Sequence, residues 1–325
     1  MSDLTIRPYD GSIDADPVST LWQETFPQYP VASQHLQHLL AQPWGSHFVA
    51  IQNDTSSRLV GFCATYTEIS KTATATTAYL PIIIIQSGFQ NRGYGTALLH
   101  YSLDHLWKSF KTVKLGCPIP KFWPGVPSDL NKEFFAKRGF KESITCKDMY
   151  QQLATFKAPQ YVLDRTSSSG VTFAPLTPSG VDECLAAQES KFPQWAGGYR
   201  LLHAENQHDD IMVALDHDGM QIGWTLMLSP GRSRLWYGFA FLPVAGGPDG
   251  NVSGTGKTVL IAAVGVGEEA RGKGVGLGLI CAAMEEMKRR GGIDGVFIDS
   301  VELNNFYEKI GFETWKNYVD MSIEH

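Results

Sequence analysis

The sequence has few cysteines, and they follow no recognisable pattern. Its five cysteines are odd in number, far apart and never in a CxxC pair: Cys63, Cys117, Cys146, Cys184 and Cys281. This arrangement excludes a disulfide framework and the usual zinc-binding spacings, and it is typical of reduced core thiols in an intracellular protein. We therefore expect no metal site.

Targeting signals, membrane-spanning runs and basic clusters are also missing. The N-terminus has neither the basic start nor the apolar core of a secretory signal peptide. The most apolar run, from Tyr79 to Ile85, is far too short to cross a bilayer. The formal net charge is -6, with no dense run of lysine and arginine. These absences predict a cytoplasmic protein that binds neither membrane nor nucleic acid, and they allow a cationic small molecule as partner.

The composition is that of a globular protein with room for more than one domain. Of the 325 residues, 43% are hydrophobic and 18% are charged, and this length favours about two domains. The chain turns polar and rich in proline and serine between about Thr155 and Gly170, which is typical of a linker. We predict one domain over residues 1–157 and a second over residues 158–325.

A glycine-rich stretch in the last quarter of the chain organises the second half. A small, apolar segment from Thr258 to Val264 predicts a buried strand, and the apolar spacing from Leu277 to Arg290 predicts a helix that ends at Gly291. Backbone N–H groups in such a turn converge on an anion, and the helix dipole adds partial positive charge. The stretch therefore predicts a phosphate or pyrophosphate site.

Two familiar nucleotide motifs do not fit this part of the sequence. The dinucleotide pattern G-x-G-x-x-G lacks its third glycine in every register between Gly265 and Gly278. A Walker-like segment upstream is out of frame, because its first glycine would have to be Asn251, and a strand follows it instead of a helix. We predict a hairpin loop there.

The motif that does fit is Arg271-x-x-Gly274-x-Gly276, which resembles the Q/R-x-x-G-x-G/A signature of the GNAT superfamily of N-acetyltransferases. The resemblance implies that this turn holds the pyrophosphate of acetyl-CoA, a co-substrate, and that the preceding strand pairs with the pantetheine arm and offers an N–H to the oxyanion. The implied cofactor-binding residues are Val264, Gly265, Val266, Arg271, Gly272, Lys273, Gly274, Val275 and Gly276.

Three motifs occur twice along the chain, in the same order. The pairs are Gln90-x-x-Gly93-x-Gly95 and Arg271-x-x-Gly274-x-Gly276, Phe26-Pro-Gln-Tyr29 and Phe192-Pro-Gln-Trp195, and Phe134–Phe140 and Phe306–Phe312. Ordered repetition of three motifs indicates a duplicated unit. The resemblance then implies a mixed α/β fold of two tandem GNAT-like domains. Each is a twisted, mostly antiparallel sheet flanked by helices, and its central strands splay around the cofactor, often beside a β-bulge.

The two copies differ at one position that matters for chemistry. In the family, a tyrosine after the fifth strand often protonates the departing thiolate, and this position matches Tyr307 in the second copy. The first copy has Phe135, which has no proton to give. We therefore predict a catalytic C-terminal domain and a degenerate N-terminal domain. The alternative for Tyr307 is a half-buried core aromatic, and the first copy is either a second CoA site without turnover or a scaffold.

The general base has two candidates near the end of the strand that precedes Tyr307. Asp299 lies at the carboxyl end of that strand and Glu302 just beyond it. Either carboxylate could take the proton of the attacking ammonium, directly or through water. The alternative is that one of them only caps a helix beginning near Asn304.

The acceptor is expected over the first two helices of the second copy, where Trp195 and Tyr199 could stack on the apolar face of a sugar. Phe192 is expected to be core, and Trp195 has the same alternative. Tandem acetyltransferases with an active second half include glucosamine N-acetyltransferases and mycothiol synthases. We predict direct acetyl transfer, in a ternary complex, to the primary amine of a small molecule, with glucosamine the leading candidate. The alternatives are another small-molecule or protein amine, and a silent acyl-CoA-binding protein.

Overall fold

Two units make up the computed structural model, which describes residues 3–53, 57–67, 76–242 and 257–325. The first unit contains Met1–Cys146, Gly238–Phe241 and Lys316–His325, and the second contains Lys147–Tyr237 and Leu242–Trp315. The predicted hairpin loop around Asn251 lies outside the described residues. No helix within the described ranges is long and apolar enough to span a membrane.

The first unit is a mixed α/β structure. Its elements are β1 (Leu4–Pro8), α1 (Gly11–Thr25), α2 (Ser33–Leu40), β2 (Phe48–Gln52), β3 (Leu59–Thr67), β4 (Thr77–Ile85), α3 (Tyr94–Leu106), β5 (Thr112–Leu115), β6 (Val126–Pro127), α4 (Lys132–Ala136) and the start of β7 (Lys141–Gln152). Strands β1 to β4 pair antiparallel in chain order, and β4 then runs parallel to β5. The apolar run of β4 is buried because α3 covers one face of this sheet.

The second unit repeats this order of elements. They are α5 (Gln160–Ser168), β8 (Thr172–Pro175), α6 (Val181–Lys191), α7 (Ala196–Ala204), β9 (Ile211–Leu215), β10 (Gln221–Leu228), α8 (Arg234–Tyr237), β11 (Thr258–Val266), α9 (Val275–Arg290), β12 (Gly295–Val301) and the start of β13 (Glu313–Glu324). Strands β8 to β11 pair antiparallel in chain order, and β11 runs parallel to β12. The predicted mixed α/β fold of two tandem GNAT-like domains is confirmed.

Each unit takes one strand from the other half of the chain. Lys147–Gln152 of β7 belong to the second unit and pair antiparallel with β12. Conversely, the end of β13 belongs to the first unit, where Ser322, Ile323 and Glu324 pair antiparallel with β5. Along β7, the change from the first unit to the second therefore comes after Cys146, whereas the predicted domains meet at 157 and 158.

Three local predictions differ from the structure. The predicted linker contains helix α5, whose Val162 joins the core around α9, because tertiary burial outweighs its polar composition. The sequence from Leu235 to Leu242 also predicts a strand, and in the structure helix α8 replaces part of it. The helix predicted after Asn304 is only a 3-10 turn at Tyr307–Ile310, since Asn305 has a φ of +57° and breaks the helical path.

A buried histidine ties the first unit together between α2 and β3. His47 is 6% exposed, and its Nε2 donates to the Leu40 carbonyl at 2.9 Å. Its Nδ1 accepts from the Thr65 N–H at 3.3 Å, so the neutral ring satisfies both partners. Burial lowers the pKa of His47 to about 4. The hydrogen bond to the Leu40 carbonyl raises this pKa, but by less than burial lowers it.

We expect this histidine to make stability depend on pH. The unfolded chain takes up a proton near the ordinary pKa of 6.5 and the folded protein only near 4, so the stabilisation is complete above pH 6.5 and is lost as the pH falls. The loss amounts to about 3 kcal/mol in the free energy of unfolding between about pH 7 and about pH 4. Urea unfolding of the wild type and of His47→Gln over this range measures it. An equal pH slope in both proteins would contradict the assignment.

Candidate active site

The glycine-rich segment of the second unit forms the strand, turn and helix that the sequence predicts. β11 leads through a 3-10 turn at Glu268–Ala270 into α9. Gly272 and Gly274 have φ values of +76° and +87°, in the left-handed region that favours glycine. The first amides of α9 have no carbonyl partner within the helix and are therefore available to an anion. The turn that the sequence predicts for a pyrophosphate thus has the backbone geometry to bind one.

The first residue of each signature ties the turn to the preceding strand. Arg271 Nε donates to the carbonyl of Val266, the last residue of β11, at 3.3 Å. In the first unit, Gln90 Nε2 donates to the carbonyl of Ile85, the last residue of β4, at 2.9 Å. Glutamine and arginine are long enough to reach back over the turn and carry an N–H donor, which is a physical reason for either residue at this position.

Strands β11 and β12 stop pairing before the signature turn, and we call the remaining end of β11 its splayed part. Pairing between β11 and β12 extends only from Thr258 with Gly295 to Ile261 with Ile298. Beyond Ile261 the remaining residues of β11, which include Val264, Gly265 and Val266, have no registered partner in β12. The residues predicted to pair with the pantetheine arm therefore line the splayed part of β11.

A β-bulge lies at this point of β11. Leu226 of β10 pairs with Ala262 and Trp224 pairs with Gly265, so β11 carries one extra residue. Ala263 in the bulge has a φ of +52°, and its carbonyl accepts a hydrogen bond from the Tyr199 hydroxyl at 2.9 Å. The expected bulge is therefore present, and α7 holds it through Tyr199.

Tyr307 lies in the 3-10 turn that approaches the start of α9. A Cβ added to Gly276 of the signature would be 3.1 Å from the ring of Phe306, so this turn packs directly on the anion-binding turn. Tyr307 is 8% exposed, and its ring packs edge-to-face on Phe306 and Phe312. Burial raises the pKa of Tyr307 to about 12, and the Asp299 carboxylate adds to the rise. The phenol is therefore protonated at neutral pH.

The two candidate bases differ in their surroundings. Asp299 is half-buried near the end of β12, within electrostatic reach of Tyr307, whereas Glu302 is exposed. Ile298 pairs with Met149 of β7 and Val301 pairs with Lys147, so Asp299 lies on a second bulge, in β12. Neither residue caps a helix near Asn304, because the 3-10 turn has Phe306 at its N-cap and no side-chain cap.

The two aromatic residues predicted to contact the acceptor lie in different environments. Trp195 is half-buried and stacks on Phe192, with ring centroids 5.3 Å apart. Tyr199 has no exposed surface, so both faces of its ring are covered and its hydroxyl is bound to the Ala263 carbonyl. Phe192 is buried, as expected of a core residue. Of the two predicted residues, Trp195 keeps surface for a ligand.

At the positions of Asp299 and Tyr307, the first unit has residues that cannot transfer a proton. Leu115 pairs with Leu80 at the end of its parallel strands, as Ile298 pairs with Ile261 in the second unit. The next residue is Gly116 in the first unit and Asp299 in the second. Phe135 holds the position of Tyr307. The carboxylate and the phenol are thus both specific to the second copy.

The first unit nevertheless keeps an open cleft behind its signature turn. A cavity of about 450 Å³ extends from Gln90, Gly93 and Thr96 to Phe135 and Trp123. On the side of α1, an aromatic cluster closes the unit, made of Trp22, Phe26, Tyr29, Phe122, Trp123 and Phe241, all buried. Its rings are in contact; those of Trp22 and Trp123, for example, stack with centroids 5.5 Å apart. The first unit therefore has a cavity beside its signature turn and a closed aromatic cluster on the side of α1.

Two residues beside the signature turn, Arg165 and Ser169, are not predicted from the sequence. Arg165 of α5 donates through Nη2 to the Gly272 carbonyl, and its side chain covers Gly274. Ser169, just past the end of α5, donates to the Lys273 carbonyl at 3.3 Å. No local pattern marks these residues, because an arginine in a polar, serine-rich segment is also what a linker contains. Only the packing of α5 on α9 brings them to the turn.

Comparisons with known proteins agree with this architecture. The family model described as Acetyltransferase (GNAT) family matches residues 15–140 and 184–312. A GCN5-related glucosamine N-acetyltransferase region of a fungal multi-domain GH3 β-N-acetylglucosaminidase is 25% identical, with a TM-score of 0.87 over 98% of this chain. This chain spans 38% of that longer fungal chain. No curated protein matches.

Two further solved structures share the fold over almost their whole length. A GCN5-related N-acetyltransferase from Sphaerobacter thermophilus is 14% identical, with a TM-score of 0.72, covering 99% of this chain and 95% of its own. A tandem GNAT protein from the clavulanic acid biosynthesis pathway is 17% identical, with a TM-score of 0.62, covering 99% of this chain and 98% of its own. The arrangement of two copies is therefore found in another protein of known structure.

Proposed function

Because this chain belongs to the acetyltransferase (GNAT) family, we propose that its second unit transfers an acetyl group from acetyl-CoA to the primary amine of a small molecule. One observation carries the choice of unit. Asp299 and Tyr307 lie close enough for the charge of one to raise the pKa of the other, beside the turn that begins α9. The same two positions of the first unit hold Gly116 and Phe135, so this pair of proton-transfer groups occurs only in the second unit.

The residues around the signature of the second unit fit the proposed co-substrate. The left-handed turn and the first amides of α9 suit a diphosphate, and the splayed part of β11 leaves room for an extended arm. The segment Arg271–Gly276 would hold the diphosphate, and Val264–Val266 would hold the arm. When bound, acetyl-CoA supplies a thioester carbonyl that is reactive toward amines.

In the proposed reaction, two side chains of the second unit move protons. Asp299 accepts a proton from the substrate ammonium, which makes the nitrogen a nucleophile, and we prefer it to Glu302 because only Asp299 is half-buried near Tyr307. Tyr307 donates its proton to the departing sulfur, and the second proton that the nitrogen loses as the amide forms restores the phenol. A buried phenol that is protonated at neutral pH suits this role, because it has a proton to give.

For the acceptor, we propose an amino sugar, with glucosamine first. Support comes from the similarity to the fungal glucosamine N-acetyltransferase region and from Trp195, whose half-buried ring could stack on a sugar. We do not assign Tyr199 to the acceptor site, because its burial leaves no ring face for stacking. Its hydroxyl instead holds the bulge of β11 through the Ala263 carbonyl.

We expect a panel of amines, assayed with acetyl-CoA for release of free thiol, to give the highest kcat/KM with glucosamine. Amino acids, polyamines and a peptide with a free N-terminus serve as the other members of the panel. A higher kcat/KM for one of these would transfer the proposal to that amine class. A flat panel, with CoA binding retained in calorimetry, would instead favour a silent acyl-CoA-binding protein and remove the enzymatic proposal.

A further inference from the structure

We propose that Asp148, on strand β7, is a positioning residue for the reaction of the second unit, an inference that rests on the proposed function. Asp148 is encoded in the first half of the chain, before the predicted boundary at 157 and 158, yet it belongs to the second unit. The proposal is that it holds the bulge of β12 that carries Asp299. The second unit's site then depends on a strand that is encoded in the first half of the chain.

The geometry of the bulge places Asp148 opposite Asp299 and Ser300. Between the pairs Ile298–Met149 and Val301–Lys147, β12 has two residues and β7 has one. Ser300 has a φ of +52°, which is unfavourable for a residue other than glycine. Its backbone N–H donates to Asp148 Oδ1 at 2.8 Å. The carboxylate therefore satisfies the amide that the bulge takes out of the strand ladder.

The surroundings of Asp148 make this contact strong. Asp148 is 3% exposed, and its hydrogen bond to the Ser300 N–H is partly buried. A buried polar group that loses its hydrogen-bond partner is costly, so this contact favours one conformation of the bulge. Because Asp299 precedes Ser300, the backbone conformation that Asp148 stabilises also sets the direction of the Asp299 side chain. A loss of this contact is expected to move Asp299 without touching the cofactor turn.

Lys147, which precedes Asp148 on β7, contacts the 3-10 turn that contains Tyr307. Lys147 Nζ forms an ion pair with Glu308 Oε1, and the two side chains are 13% and 33% exposed. Glu308 directly follows Tyr307 in the 3-10 turn. The same short segment of β7 thus contacts the backbone beside Asp299 and the side chain beside Tyr307. This double contact supports a role in the site instead of a role in the sheet alone.

The first unit offers a matched position. The segments Asp148-Met149 of β7 and Asp320-Met321 of β13 are equivalent, because both strands lie beside the last parallel strand of a unit. Asp320 accepts a hydrogen bond from Ser143 Oγ at 3.0 Å. In its unit, Gly116 stands at the position that Asp299 holds in the second unit. Replacing Asp320 therefore changes the same kind of residue at the same place in a strand, away from the proposed catalytic groups.

The test compares Asp148→Ala with Asp320→Ala in the full chain. Asp148→Ala is expected to lower kcat about 10- to 100-fold with an unchanged Kd for CoA, because a small displacement of a catalytic group has an effect of this size. Asp320→Ala is expected to keep kcat. Adding Ser300→Gly to Asp148→Ala should recover most of the kcat, since glycine adopts a positive φ without the carboxylate. An equal kcat in Asp148→Ala and wild type, or no recovery in the double variant, would overturn the proposal.

A second measurement does not depend on activity and so separates this inference from the proposed function. Hydrogen exchange at the Ser300 amide is expected to speed up in Asp148→Ala and to stay unchanged in Asp320→Ala. Unchanged exchange in Asp148→Ala would refute the positioning role even if no amine were acetylated. If wild type fails in the amine panel while Ser300 loses protection in Asp148→Ala, the contact stands and the proposed function falls.

Discussion

Replacing Tyr307 with phenylalanine is expected to lower kcat about 10²- to 10⁴-fold, the usual contribution of a general acid. The ring is buried and packs on Phe306 and Phe312, so phenylalanine keeps the packing and removes only the proton. The Kd for CoA, measured by calorimetry, should stay unchanged. Because the pKa of Tyr307 is raised to about 12, the wild-type phenol stays protonated as pH rises from neutral, and its ionisation should not limit kcat until the pH approaches that value.

The matched variant in the first unit is Phe135→Tyr. It introduces a phenol at the equivalent position, but the position equivalent to Asp299 is Gly116, which cannot accept a proton. No gain in activity is expected from Phe135→Tyr alone or in combination with Tyr307→Phe. A Tyr307→Phe variant with the wild-type kcat would remove Tyr307 from the reaction. Recovery of turnover through Phe135→Tyr would instead place the reaction in the first unit.

Replacing Gly274 with valine is expected to raise the Kd for CoA about tenfold or more. Gly274 has a φ of +87°, which costs a β-branched residue about 1–3 kcal/mol, and about 1.4 kcal/mol corresponds to tenfold in affinity. A Cβ at this position would also lie 2.8 Å from Cδ of Arg165. The turn must therefore shift, and its amides leave the positions that suit a diphosphate. Calorimetry with CoA and the KM for acetyl-CoA both measure the effect.

The control for Gly274→Val is Gly93→Val, because Gly93 holds the same position in the signature of the first unit. Gly93 has a φ of +85°, so the backbone cost is the same, but no atom lies within 4 Å of an added Cβ. If the second unit carries the reaction, Gly93→Val should keep the wild-type kcat/KM for acetyl-CoA. A loss of kcat/KM in Gly93→Val that equals the loss in Gly274→Val would contradict the assignment of the reaction to one copy.

The two copies have diverged in their side chains more than in their backbone. Both keep a long strand, a left-handed turn and a tie from glutamine or arginine back to the strand. The first copy has Gly116 and Phe135 where the second has Asp299 and Tyr307, and an aromatic cluster is buried on the side of α1. The pattern agrees with a first unit that keeps the fold after losing the reaction.

The part of the candidate site that the sequence predicts is local in the chain. The signature turn is continuous in the chain, and its glycines are needed for backbone conformations that other residues adopt only at a cost. Tyr307 and Phe135 could be compared because the motifs around them repeat in order. The bulge in β11 was expected, but its position at Ala263 depends on the register with β10 and on the hydroxyl of Tyr199.

What only the tertiary structure decided concerns partners that are distant in the chain. The sequence by itself determined the fold, the duplication and the glycine turn before α9, since periodicity and backbone preferences are properties of short segments. It did not determine that β7 crosses to the second unit, that Asp148 faces Ser300, or that Arg165 covers the signature turn. The sequence of a strand does not specify the strand with which it pairs, because every sequence offers the same backbone hydrogen-bonding groups. The packing of the whole chain selects the partner.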